Sequence, residues 1–155
     1  MGAGPGWEAG LAMNDSGDPG RAGARRRGGL GSGDPSYSER SLAAVLAALD
    51  VGQPPPPPEL RTAVRYLLDL LAARAPGRAI EVRVPPYAAV QCGEGPRHTR
   101  GTPPNVVETD PVTWIRLATG GLTWAEASGS GQVAASGVRA NLSAFLPLLP
   151  RPPAG

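Results

Sequence analysis

The 155-residue chain contains no lysine and has one histidine, one cysteine and one phenylalanine. Each shortage excludes something. A lone Cys92 leaves nothing to form an internal disulfide. A zinc site draws three or four ligands mainly from cysteine, histidine and carboxylates. Cys92 and His98 with Glu94, Glu108 or Asp110 is the set to weigh, and no motif spacing supports it. Nucleophilic catalysis would need a Ser or Cys within hydrogen-bond reach of His98, and the sequence shows only that Cys92 is six residues away across a loop. Cys92 reads as a free buried thiol. With lysine absent, all 15 basic residues are arginine, so a pI of 9.2 accompanies a net charge of only +2. The Ala, Gly, Pro and Arg bias fits GC-rich coding, and without basic residues clustered on one folded face no nucleic-acid partner is expected. Long apolar runs are absent as well. Leu42 to Leu49 is far shorter than the roughly 20 residues of a spanning helix, so no transmembrane segment is expected. No charged-then-apolar leader opens the chain. The expectation is a soluble, cytoplasmic protein without a cofactor.

Glycine and proline are plentiful instead, 22 and 19 residues. They crowd toward the beginning, as in linker sequence. Residues 1 to 36 form a Gly/Arg-rich stretch that cannot offset the entropy of ordering its own backbone and is expected to be disordered. Its Arg25-Arg26-Arg27 run reads as part of a solvated tail rather than an RNA or membrane contact, and Met13 offers a second candidate start. Residues 37 to 58 read as a short helix and a linker. About 90 residues remain, a size that buries roughly 60 to 65% of its unfolded surface in one modest core. Residues 150 to 155 form a tail.

From Ser38, a candidate N-cap, Leu42, Val45, Leu46 and Leu49 fall on one face of a short, Ala-rich, loosely docked helix. Pro54 to Pro58 reads as a polyproline II spacer about 15 Å long at about 3.1 Å per residue. Glu59 to Arg74 carries the clearest helical stripe, Leu60, Val64, Leu67, Leu68 and Leu71, ended by Pro76-Gly77. Ile80, Val82 and Val84 alternate with Glu81 and Arg83 as in a half-buried strand, and Tyr87 to Cys92 is its neighbour. Asn105 to Thr109 is a further strand. Asp110-Pro111 caps a helix over Val112 to Thr119, closed by Gly120-Gly121. Thr123-Trp124-Ala125-Glu126 is a capping box for a shorter helix. Gln132 to Ser136 reads as a last strand. A final short helix starts at Asn141 or Ser143 and presents Leu142, Phe145, Leu146 and Leu149. This order fits an α+β fold rather than a wound parallel sheet.

The stretch Asp110 to Leu149 resembles the C-terminal half of the sterol carrier protein fold, with landmarks at Leu117, Gly120, Trp124 to Ala127, Gly131 and Gly137. Upstream, IEVRVPPYAAVQC at Ile80 to Cys92 and RHTRGTPPNVVETD at Arg97 to Asp110 look like the signature of bacterial sterol carrier family proteins. The resemblance covers Glu59 to Leu149. It extends to the C-terminal domain of mycothiol-dependent maleylpyruvate isomerases, whose metal-binding helical bundle has no counterpart in these residues. The resemblance implies about five strands in a largely antiparallel sheet, helices packed on one face, and an apolar tunnel between the layers. It also implies binding of fatty acyl chains, sterols or similar lipids, or an accessory role. Leu67, Leu71, Trp114, Leu117, Phe145 and Leu146 would then line the tunnel, or simply fill a core.

The loop that ends at Asp110 gathers Arg97, His98 and Arg100. An arginine fork suits a carboxylate or phosphate, so Arg97 or Arg100, with His98 donating beside it, could hold a ligand's polar head at the tunnel mouth. Alternatively, Arg100 or Arg83 pairs with Glu108 and pins the loop. Asp110 reads as a cap, and the sequon Asn141-Leu142-Ser143 carries no meaning in a cytoplasmic protein. The expected function is that of a non-enzymatic, sterol-carrier-like protein binding a small apolar or acyl ligand between sheet and helices. The alternatives are an interaction module that contacts an unknown protein through the Pro-rich segment or the Arg97 to Asn105 loop, and an enzyme centred on His98 and Arg100.

Overall fold

Proline in the first turn of a helix sacrifices nothing, because the N–H it lacks has no partner there and its φ is already helical. Pro57 and Pro58 use this freedom and open the long helix. In the computed structural model, which describes residues 35–95 and 105–151, the elements in chain order are α1 (Pro35–Asp50), α2 (Pro57–Arg74), β1 (Ile80–Val84), β2 (Ala88–Cys92), β3 (Val106–Thr109), α3 (Pro111–Thr119), α4 (Trp124–Gly129) and β4 (Val133–Ser136). The polyproline spacer is therefore shorter than the sequence suggested. Pro56 is extended, with φ −61° and ψ 132°, and is the N-cap of α2. Contacts divide the chain into two units, Met1–Arg40 and Ser41–Gly155. Of the first, only residues 35–40 are described, as the opening turns of α1. Ser38 thus lies inside α1 and is not its cap. From the second unit, Leu42 and Val45 of α1 are 7% and 0% exposed and belong to the main apolar core, so the helix is not loosely docked.

The sheet has four strands in the order β2-β1-β3-β4. The resemblance implied about five, but the sequence pattern itself supplied four, and those four are the ones formed. β1 pairs antiparallel with β2, with Val82 opposite Val90, and β3 pairs antiparallel with β4, with Val107 opposite Ala135. The central pair, β1 and β3, is parallel. Asn105 explains this pair. Its backbone C=O accepts from Glu81 N–H, its Nδ2 donates to Ala79 C=O at 2.8 Å, and its Oδ1 accepts from Arg139 N–H at 2.9 Å. The chain is brought back to the start of β1 and runs alongside it in the same direction.

Strand alternation sorts the two faces. Ile80, Val82, Val84, Val107, Thr109 and Val133 are buried on the face the helices cover. Glu81, Arg83, Gln91 and Glu108 share the other face. There Arg83 Nε pairs with Glu81, two residues away, and not with the expected Glu108. Alternation accounts for this too, since Arg83 and Glu81 lie on the same face of one strand. The apolar stripe of α2 is buried throughout, and Trp114 of α3 reaches across to donate from Nε1 to Val64 C=O at 3.3 Å. α4 packs beside β4.

The expected last helix does not form; residues 142–145 make a turn, with Phe145 N–H on Leu142 C=O at 2.9 Å. Two features oppose a helix. Pro147 removes a donor that a helix from Asn141 would need. The segment's backbone is also drawn to partners elsewhere. Leu148 and Leu149 N–H both bond Ala118 C=O, and Arg151 N–H bonds Thr119 C=O.

Candidate functional site

Gly120 ends α3 in the left-handed conformation, φ 83°, and its N–H bonds Arg116 C=O. Only glycine adopts this geometry without strain. The chain then turns through Gly121, and Thr123 starts α4 as half of a complete capping box. Its hydroxyl accepts from Glu126 N–H at 3.1 Å, while Glu126 Oε1 accepts from Thr123 N–H at 3.4 Å. This turn sets Leu122 and Trp124 opposite the segment that follows residue 141. Arg74 at the end of α2 holds that segment by donating to the carbonyls of Phe145, Pro147 and Leu148 at 3.3, 3.0 and 2.9 Å.

Between these walls lies a groove of about 400 Å³, lined chiefly by Leu117, Leu122, Trp124, Leu146 and Pro147. Polar side chains enter it from Thr123 and Ser143. A second groove of about 590 Å³ adjoins it, sharing Gly120 and Pro147 and running on to Thr119, Asp50 and Arg151. Arg151 grips Asp50 with two bonds of 2.9 and 2.7 Å. That contact holds the Asp50 carboxyl below the usual carboxylate range and the Arg151 guanidinium above its own. The first groove is mainly apolar, whereas the second carries the Asp50–Arg151 pair in its lining.

The six residues expected to line a tunnel do not stay together. Leu67, Leu71 and Trp114 are fully buried and fill the space between helices and sheet. Leu117 is buried too, but also floors the groove, and Leu146 forms part of its wall. Phe145 is half-buried against the core. The structure therefore unites Leu117 and Leu146 with Leu122 and Trp124, which the sequence reading left unassigned. A signal for one of the latter pair existed. For Leu122 it is its place just before a helix N-cap, where an apolar residue commonly packs against the fourth residue of the helix, here Ala127, whereas Trp124 at the first helical position carried no such mark. Arg97, His98 and Arg100, the expected polar mouth, lie outside the described residues. Asp110 is a cap, as expected, accepting from Thr113 N–H at 3.1 Å. Cys92 is free and buried, and burial pushes its thiol pKa up to about 11.

A four-stranded mixed sheet covered on one face by helices is an α+β architecture consistent with a sterol carrier protein-like fold. A model of the family described as bacterial SCP ortholog matches residues 57–148. The chain belongs to this bacterial sterol carrier protein-like family. Comparison with curated proteins finds no match. Among the described residues, no helix is long and apolar enough to cross a membrane.

Proposed function

We propose that this protein carries a small apolar or acyl ligand in the cytoplasm without acting on it chemically, the ligand's tail lying against Leu117, Leu122, Trp124 and Leu146. The observation that carries this reading is the groove of about 400 Å³ with a mainly apolar wall. Its size falls within the roughly 300–1,000 Å³ typical of small-molecule sites, where a few polar groups orient the guest. Ser143 is suited to that role, since the Thr123 hydroxyl is engaged with Glu126. Membership in a sterol carrier protein-like family supports the same assignment. Arg97, His98 and Arg100 remain the candidates for holding a polar head.

Native mass spectrometry of the full chain, purified without delipidation and then mixed with dodecanoic acid, tests the proposal. An adduct of lipid mass is expected on the natural protein and is lost in a Leu146→Glu, Leu122→Glu double variant. A bare chain under both conditions, or an adduct that the double variant retains, overturns it.

A further inference from the structure

β2 lies at an end of the sheet, and among the described residues only β1 pairs with it. Glu81 N–H is committed to Asn105 on the β3 side. By alternation, Ile80, Val82 and Val84 therefore turn their backbone groups toward β2, where they meet Cys92, Val90 and Ala88. Ala89 and Gln91 are left directing their N–H and C=O groups away from the sheet. Exposed edges are normally blunted by charged side chains, proline or a bulge. Ala-Ala-Val-Gln-Cys has no charge and no proline, and its pairing register runs unbroken.

Beside this edge runs a groove of about 350 Å³, lined by Arg65, Leu68 and Asp69 of α2 and by residues 87–90. α2 and β2 run in the same direction along it. At one end the Arg61 guanidinium lies 5.9 Å from the Tyr87 ring centre, and Arg65 Nη2 donates to Tyr87 C=O at 3.3 Å. At the other end Gly93 N–H bonds Ala75 C=O at 2.7 Å and closes the groove. Both arginines are exposed, and neither forms an ion pair among the described residues. The helix carries two carboxylates, Glu59 in its first turn and Asp69, which lines the groove.

We infer that the free edge of β2 receives an extended segment of a partner protein, added as a further strand along this groove, with a carboxylate seated between Arg61 and Arg65 at the Tyr87 end. Main-chain bonds to Ala89 and Gln91 supply sequence-independent affinity, the small Ala88 and Ala89 leave room for the incoming side chains, and the two arginine forks select acidic segments. This inference does not depend on the ligand groove, which lies elsewhere on the domain.

Panning a displayed library of random nonapeptides on the full chain tests it, followed by amide NMR with one enriched peptide made synthetically. Enriched sequences are expected to alternate Val, Ile or Thr and to carry Asp or Glu, with shifts concentrated at residues 87–91. An Arg61→Glu, Arg65→Glu variant weakens binding at least tenfold. Ala89→Pro abolishes binding in a folded chain, and N-methylation of one alternate set of peptide amides, the set that faces β2, abolishes it without touching the protein. Absence of enrichment over blank support, binding indifferent to charge reversal, or binding that survives N-methylation of both alternate sets of amides, each tried in turn, overturns the inference. So does sedimentation showing a dimer that Ala89→Pro converts to monomer, since the edge then belongs to a second copy.

Discussion

Trp114 is the largest of the fully buried side chains, and its indole N–H is satisfied by the backbone of the neighbouring helix. Trp114→Ala is expected to cost about 3–5 kcal/mol in denaturant unfolding, since it removes a large buried ring at a site that cannot fully collapse. Asn105 contributes differently, tying the starts of β1 and β3 to the segment after β4. Asn105→Ala leaves Ala79 C=O and Arg139 N–H without these partners, and a loss of about 1–3 kcal/mol is expected in the same measurement. Cys92 yields a pH prediction. Its thiol has an ordinary pKa of 9.0, raised in the folded protein to about 11 by burial. Folding therefore favours the protonated form. The associated stability is fully present below pH 9 and is lost as pH rises toward 11, to a limit of about 2–3 kcal/mol. Thermal melts between pH 8 and 11 should fall less steeply for Cys92→Ala than for the natural protein. A thiol reagent at pH 8 should label Cys92 only after unfolding.

Among the elements, the segment after residue 141 shows where local pattern fails. Leu142, Phe145, Leu146 and Leu149 have helical spacing, yet the carbonyls of Ala118 and Thr119 and the side chain of Arg74 offer its backbone better partners than its own turns do. A competition of that kind depends on residues about 30 to 70 positions away and leaves no mark in a short window. Arg74→Ala should therefore raise amide exchange at Leu148 and Leu149, with a loss of about 1–2 kcal/mol in overall stability. Elsewhere the signals were local and sufficed. The stripe of α2, the alternation of Ile80, Val82 and Val84, the Asp110 cap and the Thr123 capping box each specify their element through neighbours two to four residues away. The prolines misled in the opposite sense, since a run that looks like a spacer also suits a helix start. The parallel pairing of β1 and β3 was not legible, because it rests on hydrogen bonds that Asn105 makes to Ala79 and Glu81.

At the scale of the whole molecule, the helix-covered sheet and the segment after residue 141 create two neighbouring grooves, an apolar one at Trp124 and one lined by Asp50 with Arg151. Half of the apolar site could be read from the sequence. Leu117 and Leu146 stood out as apolar residues of predicted helices, whereas Leu122 and Trp124 become neighbours of theirs only once Gly120 turns the chain and Arg74 fixes the opposite wall. The other apolar candidates were claimed by packing, as expected of a small domain in which few large side chains can be spared from the core. Adding dodecanoate to full chain carrying labelled leucine methyl groups tests the central claim most directly. The account predicts saturable shifts at Leu117, Leu122 and Leu146 while Leu60 and Leu67 hold still. Methyl signals that never move, or that move together across the core, would contradict it.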